Sequence, residues 1–231
     1  MGIARGLYDD VSNSIDYLQR HDLCLYANAV AISESRDGDS VGWYAHQPAA
    51  PFLITRDHPD VGQYVHWLKT GNYSAILMDG SILQLSYTSR DDDVIGHRLA
   101  YIPCPYVIDN ESLRERPVAD LVEEMRYRSV EPLLRSPLRV DYDVEAATDM
   151  HPAAHLTINS VDCRIACVGP MHARRFCDLI FRHFYPGDWQ SNKLFFDSSR
   201  WMHVGNYSES VDSSQPHLSW NIRLTEAAAI I

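Results

Sequence analysis

The sequence predicts an α+β fold with a mainly antiparallel sheet and flanking helices. Segments with helical and with strand-like spacing of apolar residues both occur, and they do not alternate in the strict order that builds a parallel sheet. The chain has 231 residues, of which 45% are hydrophobic, so it can bury a core. We expect one domain over residues 1–231, with a helical part to about residue 70 and a sheet-rich core over about 71–231.

Four segments carry apolar residues at helical spacing. The first covers about residues 4–21, and the second follows Pro59 and stops at Gly71, since glycine commonly ends helices. The third lies near residues 117–128. The fourth opens after Gly169-Pro170 and closes at Pro186, because proline suits the start of a helix and breaks its interior.

Several strands are predicted between these helices. Residues 76–78 and 82–88 flank Asp79-Gly80, a pair typical of a type I′ hairpin turn. A further strand over 97–102 ends at Pro103 and Pro105, because proline cannot donate to a strand ladder. Weaker strand predictions fall at residues 194–196, 201–204 and 218–224.

The overall charge excludes some classes of partner. A net charge of −11 argues against a broad nucleic-acid-binding surface, which needs clustered Lys and Arg. We interpret the basic stretches as solvated helix faces and ion pairs; they comprise Arg126, Arg128, Arg135 and Arg139, and then Arg174, Arg175 and Arg182. No apolar run is long enough to cross a membrane and no signal peptide is evident, so we expect a cytoplasmic protein with reduced cysteines.

The candidate functional site lies on two predicted strands. In residues 138–144 the polar residues alternate with apolar ones, so Asp141 and Asp143 share a face. Residues 154–160 repeat the pattern and place His155 on the polar side, with His151 at the entry turn. If the two strands pair, one face collects both carboxylates and both histidines.

This set of residues is compatible with three roles. His151, His155 and Asp141 suit a divalent metal ion, the candidate cofactor, because imidazole and carboxylate are metal ligands. His155 could instead act as a general base and His151 as the acid, with Asp141 and Asp143 orienting them and Arg164 stabilising phosphate charge. The third reading is structural, with hydrogen-bonded histidines on a half-exposed sheet face.

A resemblance to a known family rests on ordered short motifs. The succession DGSILQLSY, HRLAYIPCP, RVDYD, HPAAHLTI, CRI, FCDLIFRHFYP and HLSW, within about residues 70–222, resembles the bacterial family labelled domain of unknown function 2290. The histidine-bearing strand is also similar to small toxins of toxin–antitoxin systems, although Thr157 stands where that pattern has a third histidine. The resemblance implies a prokaryotic defence or toxin setting, where RNA cleavage is frequent.

Two functions follow as hypotheses. The first is a hydrolase of RNA or another phosphodiester that uses the His/Asp site. The second is a non-catalytic subunit that binds a protein partner in a defence or toxin–antitoxin complex. Its interface would come from the aromatic-rich C-terminal third, which contains Phe184, Tyr185, Trp189, Phe195, Phe196, Trp201 and Tyr207.

Overall fold

One antiparallel sheet organises the fold. The computed structural model describes residues 2–36, 38–43, 60–148, 151–159, 163–167 and 169–198. In these ranges the strands are β1 (Cys24–Ala27), β2 (Val30–Ser33), β3 (Asp39–Trp43), β4 (Ala75–Leu77), β5 (Ile82–Arg90), β6 (Asp93–Ile102), β7 (Leu138–Asp143), β8 (Ala154–Ile158) and β9 (Arg164–Ala166). Their order is β1-β4-β5-β6-β7-β8-β9, and β3 pairs with both β5 and β2. Every described pairing is antiparallel.

Helices cover both faces of this sheet, which confirms the predicted α+β class. They are α1 (Ile3–Arg20), α2 (Val61–Lys69), α3 (Asn110–Glu115), α4 (Val118–Tyr127), α5 (Ala173–Phe184), α6 (Pro186–Ser191) and α7 (Lys193–Asp197). The four predicted helices correspond to α1, α2, α4 and α5. Within the described ranges, none of these helices has the length and apolarity required to traverse a lipid bilayer.

Local signals explain where the predicted helices begin and end. The Asp60 side chain accepts a hydrogen bond of 2.7 Å from the backbone N–H of Gln63, which caps the start of α2. The chain leaves this helix through Gly71, whose φ of 68° lies in the left-handed region. The turn at Asp79-Gly80 also joins two antiparallel strands as predicted. It is not type I′, however, because Gly80 has a positive φ and Asp79 does not.

Two hydrophobic cores lie on opposite faces of the sheet. On one face, alternate residues such as Leu99, Val140 and Leu156 pack with α1 and α5. On the other face, residues such as Ala100 and Ile102 pack with α2, α3 and α4. Because side chains alternate along a strand, the neighbours of Val140 and Leu156 in β7 and β8 point to this second face. There the sheet becomes polar, and this polar region holds the candidate site.

The structure differs from the sequence predictions in two places. Residues 24–43, assigned to a helical part of the chain, contribute three strands to the same sheet. These strands have four or five residues each, too few for a clear period to emerge. The predicted strand over 194–196 is wrong, since these residues form helix α7 and bury Phe196 in the core. The predicted strands over 201–204 and 218–224 lie outside the described residues.

Candidate functional site

Asp141 and His155 lie side by side in the sheet. They are directly opposite each other in the pairing of β7 with β8, so the two predicted strands are neighbours. His155 Nε2 is 3.5 Å from Asp141 Oδ2, and both side chains are buried. A buried carboxylate is costly unless charged or hydrogen-bonding partners surround it. The structure supplies those partners mainly as arginines.

Two arginines bind the Asp141 carboxylate. Arg98 lies opposite Asp141 on β6, and its Nε donates to Asp141 Oδ1 over 2.9 Å. Arg139, two residues before Asp141 on the same strand, donates from Nε to Oδ2. Burial alone would raise the pKa of Asp141. The nearby His155 ring and the charges of Arg139 and Arg98 outweigh burial, and together they hold this pKa well below its ordinary value of 3.8.

Both ring nitrogens of His155 are engaged. Nδ1 lies 2.9 Å from the carbonyl oxygen of Pro152. A carbonyl oxygen can only accept, so Nδ1 carries the proton and donates it. Nε2 then faces the Asp141 carboxylate. Only an imidazolium ring could donate to the Pro152 carbonyl oxygen and to Asp141 Oδ2 at the same time. This arrangement fixes the orientation of the ring within the strand.

His151 is the more accessible histidine of the site. Its backbone exchanges two hydrogen bonds with Thr148, which closes the turn that leads into β8. The His151 side chain is half-buried, and its ring meets that of His155 edge to face, with centroids 4.8 Å apart. Burial, followed by the positive charges of His155 and Arg164, lowers the pKa of His151 below 6.5. Asp141 and Asp143 act in the opposite direction.

Arg164 and Asp143 complete the surroundings of His151 in different ways. Arg164 begins β9 opposite Thr157, and its Nε is buried with no hydrogen-bond partner among the described residues. Asp143 is exposed at the end of β7, where its Oδ1 accepts from the backbone N–H groups of Glu145 and Ala146 over 3.0 Å each. Asp143 therefore caps a turn at the rim, whereas Asp141 contacts His155 and His155 contacts His151 at the centre.

The centre of the site carries an excess of positive charge. Arg98 and Arg139 bind the buried carboxylate of Asp141, and Arg164 is near enough to Arg139 for its charge to act on that guanidinium. Burial lowers the pKa of Arg139, and the like charges of Arg98 and Arg164 contribute to this lowering. In a chain with a net charge of −11, such a local concentration of arginines suits an anionic ligand. Guanidinium groups match the geometry of phosphate oxygens in particular.

Sequence reasoning missed the role of two of these arginines. From the sequence, the stretch that includes Arg139 is interpreted as solvated helix faces and ion pairs; Arg139 does form an ion pair, with Asp141, but it is buried in β7 and not on a solvated helix. Its spacing of two residues from Asp141 places both side chains on one face, which was a usable signal. Arg98 points away from His97, whose Nε2 accepts from the backbone N–H of Met171 on the opposite face. Nothing in the sequence indicated that Arg98 would meet Asp141.

The contacts of the histidines also bear on the metal hypothesis. Among the residues that the structure describes, no three His, Cys, Asp or Glu side chains group as ligands of one ion. His155 could bind a metal only after losing its contact with Pro152 or with Asp141. The metal role of His151, His155 and Asp141 therefore stays a prediction that requires a rearrangement.

Comparison with known proteins identifies a family. The model of a protein family described as "Uncharacterized conserved protein (DUF2290)" matches residues 23–230, which include every residue of the candidate site. Searches of curated proteins and of solved structures gave no significant match. The family description names no reaction, so chemical arguments about the site have to come from its geometry.

Proposed function

We propose that this chain, which belongs to the DUF2290 family, uses its polar sheet face to bind and cleave a phosphodiester of RNA. The observation that carries the proposal is the position of His151, half-buried against His155 beside Arg164. In the proposed site His151 accepts a proton, and Arg164, whose charge acts on His151, holds a phosphate. A prokaryotic defence or toxin role is the biological setting we propose for this activity.

The lowered pKa of His151 suits a general base. Below an ordinary value of 6.5, the ring is largely neutral at pH 7 and can accept a proton. His155 is less suited to this step, because its Nδ1 donates to Pro152 and its Nε2 faces Asp141. We therefore propose that His151 is the general base and that His155 and Asp141 hold His151 in position. The sequence pattern instead predicts His155 as the base and His151 as the acid.

The proposed reaction is an internal transfer at phosphorus. His151 removes the proton from a ribose 2′-hydroxyl, and the 2′-oxygen forms a bond to phosphorus while the bond to the 5′-oxygen breaks. The departing 5′-oxygen takes a proton from solvent, so the products are a 2′,3′-cyclic phosphate and a 5′-hydroxyl. In this proposal Arg164 and Arg98, which are both partly exposed, stabilise the negative charge of the transition state.

A matched pair of substrates tests this proposal. Purified protein is incubated with a labelled single-stranded RNA and with DNA of the same sequence, which lacks the 2′-hydroxyl. We expect cleavage of the RNA only and a cyclic phosphate end on the product. His151→Gln should reduce the rate by about 10²–10⁴-fold, the usual contribution of a general base. His66→Gln, at an exposed histidine on α2, should leave the rate unchanged.

Two results would argue against the hydrolase. One is an absence of RNA cleavage by the wild type. The other is a His151→Gln variant that folds normally and cleaves as fast as the wild type. If the RNA binds but is not cleaved, and Arg164→Gln weakens that binding, the site holds phosphate without catalysis.

A second candidate function is protein binding without catalysis, and exposed apolar residues favour it. Tyr127 at the end of α4 is 91% exposed, and Leu134 in the following segment is fully exposed. Val107 is exposed as well, and exposed apolar residues are a feature of many protein interfaces. The interface predicted in the C-terminal third is less apt, because Phe196 is buried in the core and Tyr185, Trp189 and Phe195 pack against it. Trp201 and Tyr207 lie outside the described residues.

This alternative has its own test. A partner that copurifies with the protein is identified by mass spectrometry, and binding is then reconstituted from the two purified components. We expect the Tyr127→Asp/Leu134→Asp double variant to lose that binding while it keeps the wild-type melting temperature. Equal binding by the double variant would place the interface elsewhere.

A further inference from the structure

A cavity of about 340 Å³ lies away from the Asp141 site. It is formed where the turn after β4, the end of β6, the segment before β7 and the end of α5 meet. Its lining residues are Asp79, Tyr101, Pro103, Arg135, Ser136, Phe184 and Tyr185. None of these residues takes part in the proposed cleavage of RNA, so the cavity needs a separate explanation.

The cavity places a carboxylate and a guanidinium on its wall without pairing them. Asp79 Oδ1 accepts from Tyr185 Oη over 3.0 Å and from the backbone N–H of Ser81 over 2.9 Å. Arg135 donates from Nη1 to the backbone carbonyl of Cys104 over 3.4 Å. Asp79 and Arg135 make no ion pair with each other. Within the part of the chain that the structure describes, the second carboxylate oxygen of Asp79 and the remaining N–H groups of Arg135 have no hydrogen-bond partner, so they are available to a ligand.

The charges of Asp79 and Arg135 both act on the Tyr101 side chain. Burial is the main cause of the raised pKa of Tyr101, and the nearby Asp79 raises it further whereas Arg135 lowers it. The two opposite charges thus act on one phenol, and all three side chains line the same cavity. A ligand that carries a positive and a negative group could satisfy both.

The rest of the wall is apolar and held in place. The rings of Tyr101 and Phe184 lie 4.8 Å apart between centroids, and Tyr185 meets Tyr101 nearly at right angles. A hydrogen bond of 3.0 Å joins the two tyrosine hydroxyls, which fixes the position of both rings. Phe184 is 48% exposed and Pro103 lies beside it in the lining. These groups suit the apolar body of a ligand, since aromatic rings stack well on such surfaces.

We propose that this cavity binds a small zwitterion with an aromatic side chain, that is, a compound of the aromatic amino acid class. Its ammonium group pairs with Asp79 and its carboxylate with Arg135. Its ring packs against Phe184 and Pro103. This inference is independent of the proposed cleavage of RNA, because the two sites share no residue.

Three probes that share a phenyl ring test whether the ligand needs both an ammonium and a carboxylate group. The full-length protein is titrated by calorimetry with L-phenylalanine, with phenethylamine, which lacks the carboxylate, and with 3-phenylpropanoate, which lacks the ammonium. We expect L-phenylalanine to bind at least tenfold more tightly than either analogue, because each charged contact adds to affinity. No binding of L-phenylalanine at millimolar concentration, or equal affinity for all three, would overturn the proposal.

Two variants assign the two contacts. Asp79→Asn keeps an oxygen for Ser81 and Tyr185, so the turn is preserved, and it should bind L-phenylalanine no better than 3-phenylpropanoate. Arg135→Gln should bind L-phenylalanine no better than phenethylamine. Asp188→Asn and Arg114→Gln change the same residue types at exposed positions and should bind as the wild type does. Wild-type affinity in both cavity variants would overturn the assignment, and the three probes on the wild type remain decisive if a variant misfolds.

Discussion

His155 Nε2 lies 3.5 Å from Asp141 Oδ2, across directly paired positions of two antiparallel strands. The same carboxylate binds Arg98 and Arg139, so one buried negative charge holds two cationic side chains and one imidazole in place. Removing that charge leaves the buried side chains of Arg139 and His155 without its compensation, whereas Arg98 keeps 36% of its side chain exposed. The stability of this part of the sheet therefore depends on Asp141.

We expect Asp141→Asn to lower the free energy of unfolding by about 3–5 kcal/mol at pH 7, the usual cost of breaking a buried ion pair from one side. Asparagine has nearly the same shape, so the loss reports charge and not volume. Urea denaturation followed by circular dichroism measures it. Asp143→Asn is the matched control, because Asp143 is exposed, and it should cost less than about 1 kcal/mol. Equal losses in both variants would contradict the central role of Asp141.

His97, on the opposite face of β6, predicts how stability changes with pH. Burial lowers its pKa to about 4, and its Nε2 accepts a hydrogen bond of 2.8 Å from the backbone N–H of Met171. In the unfolded chain His97 has its ordinary pKa of 6.5, so between pH 6.5 and 4 the unfolded state binds a proton that the folded state does not. The stabilising effect of neutral His97 is therefore complete above pH 6.5 and is lost as the pH falls to about 4. The difference between these pKa values corresponds to about 3 kcal/mol.

Chemical denaturation at pH 7, 5.5 and 4.5 measures this effect. We expect His97→Gln to lose most of the slope, because a glutamine oxygen can accept from Met171 and does not titrate. Asp141→Asn should keep the slope over this range, since the lowered pKa of Asp141 makes its own contribution disappear only below pH 3.8. An unchanged slope in His97→Gln would assign the pH dependence to other groups.

Part of this site could be predicted from the sequence because strands have a period of two. Alternation alone placed Asp141 with Asp143 and placed His155 with Thr157, and each pair is on one face of its strand. Alternation does not give the register between strands. The pairing of Asp141 with His155, and of Arg98 with Asp141, depends on loop lengths and packing along the whole sheet.

The burial of the site also could not be predicted from the sequence. Charged residues at alternate positions are typical of a half-exposed sheet face, yet Arg139, Asp141 and His155 are all buried. Their charges compensate one another once the strands pair, which makes burial tolerable. Only the three-dimensional neighbours reveal that compensation, because Arg98 is distant from the other residues in sequence.

RNA cleavage should not require a metal ion if His155 is a positioning residue, because its two ring nitrogens are already engaged by Pro152 and Asp141. We expect RNA cleavage to persist in EDTA, and we expect Mn²⁺ and Zn²⁺ to leave the melting temperature unchanged. Differential scanning fluorimetry of the wild type and of His151→Ala/His155→Ala checks the second point. A stabilisation by metal that the double variant loses would restore the metal role of these histidines and Asp141.

The pH dependence of cleavage tests the proton transfer assigned to His151. Its lowered pKa predicts a rate that is constant near pH 7 and falls through a midpoint below pH 6.5, because only the neutral ring accepts a proton. Two variants should move this midpoint in opposite directions. Arg164→Gln removes a positive charge that lowers the pKa of His151, so the midpoint should rise. Asp143→Asn removes a negative charge that raises it, so the midpoint should fall. Single-turnover rates between pH 4.5 and 8 measure the midpoint, and a value that neither variant shifts would assign the titrating group to another residue.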